Sequence, residues 1–272
     1  RCGSQGPAGS ARGAMTVTPV RAGVLPALIM LCLLLVLQAC STAVPTSRDL
    51  NDEDYVQNFR TVAFYREFDP EQIEQVLTRW EEPLRVAVVG DVNERHIEYM
   101  RLHLADLAAL SGLEVALSDR DTANVIVILS PDPFERALDT YRADYRGFFA
   151  SDPSMEAVTA RMKKEATCFA RIVPGDSDDV IVGAVALIPT DQGRFVTRAC
   201  IIEELTQAMG LFNDSDAIRP SIFNDSSPNM ILSDHDRILL RTLYDPRLQP
   251  GMTWNQAEPI VRTVIAELRH PG

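Results

Sequence analysis

Short runs of valine, isoleucine and leucine on either side of a helical pattern constrain this chain more than any other feature. The runs at 84–90, 113–117 and 124–129 predict strands, and residues 93–110 carry apolar side chains at helical spacing. Residues 124–129 are apolar enough to be buried on both faces of a sheet. The order strand, helix, strand, strand predicts an α+β fold, with a mixed sheet covered by helices.

The second half of the chain adds two strands and a small helical C-terminal part. Strands are predicted at 167–173 and 180–188, on either side of the turn at 174–178. The predicted helices span 195–212, 233–244 and 255–269. Ser233 and Asp236 have the spacing of a capping box, which marks the beginning of the second of these helices.

Two other segments predict further helices. Residues 50–80 predict two helical pieces, and the second begins after Asp69-Pro70 and reaches Trp80. Residues 131–164 are predicted to form an insertion of loops and helices. Its aromatic side chains, which we expect to pack the insertion rather than bind a ligand, are Tyr141, Tyr145, Phe148 and Phe149.

The beginning of the chain predicts export. Met15 is the expected start, and Arg21 precedes an apolar run at 24–37, which is shorter than the roughly 20 residues that span a bilayer. The run ends in Leu37-Gln38-Ala39-Cys40, which resembles the lipobox of bacterial lipoproteins. That resemblance implies that residues 1–39 are a leader and signal peptide, that Cys40 carries the lipid anchor, and that 40–49 are a lipidated tether. An uncleaved signal anchor with a free thiol is the alternative.

The expected location is therefore the bacterial envelope, with membrane contact through the lipid on Cys40. Ser41 after that cysteine favours the outer membrane, with the protein facing the periplasm. The remaining residues, 50–272, are predicted to form a single domain.

The charge balance excludes one class of partner. The chain has 26 Lys and Arg against 38 Asp and Glu, a formal net charge of −12. Without the leader, which holds three arginines and no acid, 23 bases face 38 acids and the net charge becomes −15. Affinity for nucleic acid comes mainly from Lys and Arg on phosphate, so no nucleic-acid partner is expected.

Cysteine usage agrees with an oxidising compartment. Cys168 and Cys200 are the two cysteines that follow Cys40, and an even pair in an exported chain predicts a disulfide. The alternative is a pair of buried free thiols.

The predicted helix at 195–212 carries the sequence pattern that most resembles a catalytic motif. Ile201 and Leu205 share an apolar face, whereas Glu203 and Gln207 lie roughly opposite, so helix periodicity alone favours a solvated acidic face. Zinc peptidases of the metzincin type have His, Glu, His, Gly and His at relative positions one, two, five, eight and eleven. The residues found here at those positions are Glu203, Glu204, Gln207, Gly210 and Asn213.

The segment therefore resembles a metzincin helix that keeps the general base and the glycine and has lost all three histidines. Pro228-Asn229-Met230 resembles the methionine turn of those enzymes, and the helix that ends in Leu243-Tyr244 resembles their C-terminal helix. More closely, residues 198–214 and 232–252 resemble an uncharacterised family of bacterial secreted proteins and lipoproteins, a domain of unknown function related to the metallopeptidase-like fold. The resemblance covers roughly residues 80–252 and implies a zincin-like domain.

The replaced residues argue against a zinc site. Glu203, Gln207 and Asn213 offer only carboxylate or amide donors, and neutral amides are poor zinc ligands. We expect no metal and no cofactor. The acidic residues at 214, 216 and 225 suit calcium or magnesium better, but the repeated Phe-Asn-Asp-Ser at 212–215 and 223–226 favours two turns held by Asx hydrogen bonds. His96 and His103, seven residues apart on one predicted helix, are expected to be surface or helix-packing residues.

Three functions follow from these patterns. The leading hypothesis is a lipid-anchored envelope protein whose zincin-like domain binds a peptide or an envelope protein in a cleft beside Glu203, Glu204 and Gln207. The second is a divergent metal-dependent hydrolase that uses Glu204 as general base. The third is a purely structural envelope lipoprotein.

Overall fold

The structure is a computed structural model that describes residues 50–67, 71–145, 167–177, 179–224, 226 and 229–272. These residues belong to one compact unit, Val44–Gly272. The predictions on the leader, Cys40, the tether, Phe148, Phe149 and Asp225 lie outside the described residues. Among the residues described, no helix has both the length and the apolar character needed to cross a membrane.

A mixed sheet forms the centre of the domain. Its strands are β1 (Arg79–Trp80), β2 (Leu84–Gly90), β3 (Val115–Leu117), β4 (Val125–Ser130), β5 (Phe169–Pro174) and β6 (Val180–Pro189). The main path runs β1-β6-β4-β2-β3 and is parallel, whereas β5 pairs with β6 in the antiparallel direction. The predicted mixed sheet of an α+β fold is confirmed.

Helices cover both faces of this sheet. The described helices are α1 (Asp52–Phe64), α2 (Glu94–Ser111), α3 (Phe134–Thr140), α4 (Arg142–Tyr145), α5 (Arg194–Gln207), α6 (Asp234–Leu243) and α7 (Trp254–Arg269), and a short 3-10 turn spans Arg120–Thr122. The side chains of Asn93 and Ser233 cap α2 and α6. The helical C-terminal part is therefore confirmed, and the capping box at Ser233 and Asp236 is present.

Alternation along β4 shows how the two layers of the core form. Val125, Val127 and Leu129 pack into the large core beneath α1, α2, α5, α6 and α7. Ile126 and Ile128 face the opposite side, where they pack with Leu138 of α3. Every residue of β4 is buried, as the apolar run predicted, because successive side chains of a central strand point to opposite covered faces.

The helix predicted to reach Trp80 is wrong in its described part. Residues 71–78 are irregular and Arg79 and Trp80 form β1. The backbone N–H of Leu77 donates to the carbonyl of Met252, and the indole N–H of Trp80 donates to the carbonyl of Ala208 at 2.8 Å. The bond from Leu77 satisfies backbone of this segment in an extended form and the bond from Trp80 anchors its side chain, and these contacts with distant residues override the local helix signal.

Helix α5 ends earlier than predicted, at Gln207, and the chain turns at Gly210. Gly210 has φ +120°, a backbone conformation that favours glycine. A Cβ at this position would lie 2.4 Å from the carbonyl oxygen of Thr78 and 3.0 Å from Leu243. The glycine therefore lets the end of α5 pack directly against the segment that leads into β1.

Gly210→Ala is expected to lower the free energy of unfolding by about 2–3 kcal/mol, because the added Cβ meets backbone in a strained conformation. Urea denaturation measures this loss. Gly112→Ala is the matched control, since Gly112 also has a positive φ, +74°, but its Cβ would meet nothing within 4 Å. Its expected cost is about 1 kcal/mol. Equal losses in the two variants would contradict the close approach at Gly210.

Candidate functional site

A cavity of about 500 Å³ lies between α5, the residues that precede β5 and the loop that follows α5. Its charged lining residues are Glu67, Glu203, Glu204 and Asp214. Its other lining residues are apolar, polar uncharged or cysteine: Thr167, Cys168, Phe195, Val196, Ala199, Cys200, Ile222, Asn224, Asn229 and Met230. A concave site of this volume, mostly apolar with a few polar groups, is typical of a ligand-binding site.

Helix α5 places two carboxylates in this cavity. Glu203 is partly buried and Glu204 is 3% exposed, while Ile201 and Leu205 pack in the core. Gln207 is 5% exposed as well. The solvated acidic face that periodicity favoured is therefore wrong, because the side of α5 away from the sheet is covered by other parts of the chain.

Gln207 and Asn213 hold the loop after α5 rather than lining the cavity. The Gln207 amide donates to both carboxylate oxygens of Asp214 at 2.9 Å, which orients Asp214 at the cavity wall. The Asn213 amide donates to the carbonyl of Thr61 in α1. Of the positions that resembled a metal site, the cavity therefore contains Glu203 and Glu204 but neither Gln207 nor Asn213.

The predicted disulfide is confirmed. Cys168 and Cys200 are bonded, with their Cα atoms 5.9 Å apart. The bond joins the residue before β5 to the middle of α5, and both cysteines line the cavity. It therefore fixes one wall of the cavity to the helix that carries Glu203 and Glu204.

The donor set does not fit the zinc that a metzincin resemblance would imply. One ligand atom each from Cys168, Glu203 and Glu204 lies within 4.8 Å of the others, but the sulfur of Cys168 is in a disulfide and is not a thiolate. No histidine is among the described lining residues.

The four histidines lie outside the described lining of the cavity. His96 is at the beginning of α2, where its ring contacts Asn93 and the carbonyl of Asp91. The ring of His103 contacts the hydroxyl of Thr206 at 3.1 Å, within the packing of α2 on α5. The ring of His235 packs at a tilt against the ring of Tyr55 in the core, with the ring centroids 4.8 Å apart. His270, near the end of the chain, is exposed. His96 and His103 are both buried, so of the two expected places, the surface or the packing of their helix, the surface is wrong, and the contact of His103 with α5 agrees with helix packing.

The loop that closes the cavity opposite α5 is held by hydrogen bonds that are buried or partly buried. The carboxylate of Asp236 accepts from the hydroxyl of Ser221 at 2.6 Å and from the backbone N–H groups of Ile222 and Ser233. The Asn224 amide donates to the carbonyls of residues 216 and 218, and the Asn229 amide donates to the carbonyl of Ser221. These bonds hold the described part of the loop and place Asn229 and Met230 at the cavity.

A family model described as Protein of unknown function (DUF2927) matches residues 52–263. The chain belongs to this family. No curated protein and no solved structure matches the chain. The matched range of the DUF2927 domain begins with α1, which the resemblance over 80–252 did not include, and extends into α7.

Sequence reasoning missed Glu67 and Phe195 at the cavity of this DUF2927 domain. Glu67 lies there because its N–H donates to the carbonyl of Phe212, and the N–H of Phe212 donates to the carbonyl of Val62. No spacing in the sequence signals that backbone pairing. Met230 could be found, because the resemblance to a methionine turn drew attention to it.

Burial lowers the pKa of His103 to about 4, with a smaller opposing effect from Asp106. Neutral His103 therefore stabilises the fold fully above its ordinary pKa of about 6.5, and this contribution is lost as the pH falls from 6.5 towards 4. Between pH 7 and 5.5 the expected loss is about 1 kcal/mol. Urea denaturation at both pH values measures it, and His103→Asn should remove this pH dependence. His270→Asn is the control at an exposed histidine, and an unchanged slope in His103→Asn would contradict the assignment.

Proposed function

We propose that this DUF2927 protein is a lipid-anchored protein of the bacterial envelope whose zincin-like domain binds a peptide or a segment of a partner protein without cleaving it. The cavity carries this proposal. It contains Glu203 and Glu204, the positions that would hold the first zinc ligand and the general base, in a site without histidine among its described lining residues. A site with that shape and without those ligands supports binding rather than metal-dependent hydrolysis.

Several features support the zincin-like part of the proposal. The sheet comes before the helix that carries Glu204, as in the N-terminal half of a zincin, and Gly210 follows that helix at a sharp turn. Met230 lines the cavity, in keeping with a methionine turn below a former metal site. The capped helix α6 then follows, ending before Tyr244.

Metal analysis of the purified protein, combined with an assay on unfolded protein substrates, tests the binding function against hydrolysis. We expect no stoichiometric zinc and no cleavage, with or without a chelator. Chelator-sensitive cleavage that Glu204→Gln abolishes would contradict the proposal and establish the divergent hydrolase. The variant keeps the size of the side chain, so a loss of cleavage would report on the carboxylate rather than on packing.

Metabolic labelling tests the lipid anchor separately. Cells given radiolabelled palmitate are expected to incorporate label into the wild-type chain and not into Cys40→Ser, and the wild-type chain should fractionate with membranes. Ser41→Ala serves as the control for a substitution beside the anchor. Label that persists in Cys40→Ser would contradict lipidation at Cys40.

A further inference from the structure

Arg66 is a partly buried arginine that follows the end of α1 and precedes Glu67, a lining residue of the cavity. Its Nη1 donates to the carbonyl of Tyr65 and its Nη2 donates to the hydroxyl of Thr78, each at 3.3 Å. The carbon of the guanidinium group lies 4.0 Å from the centroid of the Phe212 ring. These contacts on the face and on the nitrogens hold the planar group in one orientation.

The described contacts of Arg66 include no carboxylate. Arg247 shows the contrast, because its hydrogen bonds to Asp245 and Glu267 raise its pKa. Burial instead lowers the pKa of Arg66 to about 10. A guanidinium that leaves water is unfavourable unless an opposite charge or a full set of hydrogen bonds compensates it. Arg66 therefore has the desolvation of a buried charge without the carboxylates that compensate Arg247.

The guanidinium of Arg66 keeps donors for a ligand. The described hydrogen bonds of its side chain use two of its five N–H groups. The hydroxyl of Thr78 donates to the carbonyl of Val76 at 3.1 Å, so its contact with Arg66 positions the guanidinium and leaves no second donor for an anion. The remaining N–H groups lie on a planar fork, which matches the two oxygens of a carboxylate. Arg66 is partly exposed, so a ligand group can reach it from solvent.

The charge around Arg66 favours a ligand with a single negative charge. No second Lys or Arg is among the described contacts of Arg66, and the whole chain has a formal net charge of −12. A phosphate monoester carries roughly 1.5 to 2 negative charges at pH 7, so part of its charge would be left uncompensated in acidic surroundings. A carboxylate carries one negative charge, which one guanidinium neutralises.

We propose that Arg66, held in place by Phe212 and Thr78, is the anchor of an anion-binding site that takes one carboxylate group of a ligand. The carboxylate belongs to a small organic acid or to a peptide, and the two share the chemistry that Arg66 recognises. This site is separate from the proposed binding function, which depends on the cavity.

Side-chain NMR of the purified protein tests the site with sodium acetate as the probe and with the ionic strength held constant by sodium chloride. The Nε–H signal of Arg66, assigned by its loss in Arg66→Gln, is expected to shift saturably with a dissociation constant of the order of 1–10 mM. Sodium phosphate at the same ionic strength is expected to bind at least about threefold more weakly.

Acetylated trialanine with a free C-terminal carboxylate distinguishes the two sources of the carboxylate. The carboxylate of this peptide is expected to bind and the corresponding C-terminal amide is not. Binding of the peptide acid at least as tight as that of acetate would assign the site to a peptide. Weaker binding of the peptide acid would assign the site to a small organic acid, and either result supports a carboxylate site.

Urea denaturation gives a second readout, because a ligand that binds only the folded chain stabilises it. Acetate at about 50 mM is expected to raise the denaturation midpoint of the wild type and not that of Arg66→Met. Without acetate, Arg66→Met is expected to have a midpoint no lower than that of the wild type, because methionine replaces an uncompensated charge. Arg66→Lys keeps the charge without the fork and is expected to bind acetate at least about fivefold more weakly.

Arg101→Gln is the matched control, because Arg101 is an exposed arginine that pairs with Glu98 on α2, and it should leave both readouts unchanged. Four results would overturn the proposal. Chloride that shifts the Arg66 signal as acetate does would show screening of charge rather than a site. Phosphate that binds more tightly than acetate would contradict the assignment to a carboxylate. Acetate binding confined to Asp69→Asn would make Asp69, three residues later in the chain, the partner of Arg66. A large fall in the midpoint of Arg66→Met, without an effect of acetate on the wild type, would make Arg66 a structural residue.

Discussion

Replacing Cys168 and Cys200 together by alanine is expected to lower the free energy of unfolding by about 3–4 kcal/mol. The disulfide closes a loop with a sequence separation of 32 residues. Opening it restores conformational freedom to the unfolded chain, and the cost on the loop-entropy model grows with the length of that loop. The closed loop contains β5, β6 and the first half of α5.

Guanidinium denaturation of the wild type and the double variant, each with and without reductant, measures this contribution. Reductant should lower the stability of the wild type to nearly that of the double variant and should leave the variant unchanged. A wild type that is equally stable with and without reductant would contradict a stabilising disulfide.

Most of the fold could be predicted because its strongest signals are local. Residues 125–129 of β4 are apolar without interruption, which predicts a buried strand, and the apolar residues of α2 repeat at helical spacing, which predicts a helix. The segment at 71–80 could not be predicted in this way. Leu77 and Trp80 are buried through hydrogen bonds to residues more than a hundred positions away, and such contacts leave no periodic trace.

The residues of the candidate site also differ in whether a local sequence pattern identifies them. Glu203 and Glu204 could be identified because a motif with fixed spacing on one helix marks them. Glu67 could not be identified, because it reaches the cavity only through backbone pairing with Phe212. The burial of Gln207 was also beyond a helical pattern, since periodicity shows which side of α5 faces the sheet and not what covers the other side.

The side chain of Asp236 belongs to the capping box of α6 and also accepts hydrogen bonds from residues farther away in the chain. Ser233 and Asp236 could be paired from their spacing, and both of the expected cap bonds are present. The same carboxylate also accepts from Ser221 and Ile222, fourteen or fifteen residues earlier, and is 0% exposed. A residue with the sequence pattern of an ordinary helix cap therefore also holds the loop that brings Asn229 and Met230 to the cavity.

Asp236→Ala is consequently expected to cost about 4 kcal/mol of stability, more than the loss of a helix cap alone. The substitution leaves three donors without their acceptor: the buried Ser221 hydroxyl and Ile222 N–H, and the partly buried N–H of Ser233. Each unsatisfied buried donor costs roughly 1–3 kcal/mol, and the loop can recover part of this by admitting water. Chemical denaturation monitored by tryptophan fluorescence measures the loss.

Asp234→Ala is the matched control for that variant. Asp234 lies in the same first turn of α6 but is exposed, so its removal deletes a charge of the same sign at the same helix end and gains the same helix propensity. Its expected cost is below about 1 kcal/mol, the usual effect of an acidic side chain on the helix dipole. Should Asp236→Ala fail to fold, Asp236→Asn retains the volume and should be intermediate in stability. Comparable small losses at 234 and 236 would show that the bonds to Ser221 and Ile222 contribute little, and the loop at the cavity would then be held by other contacts.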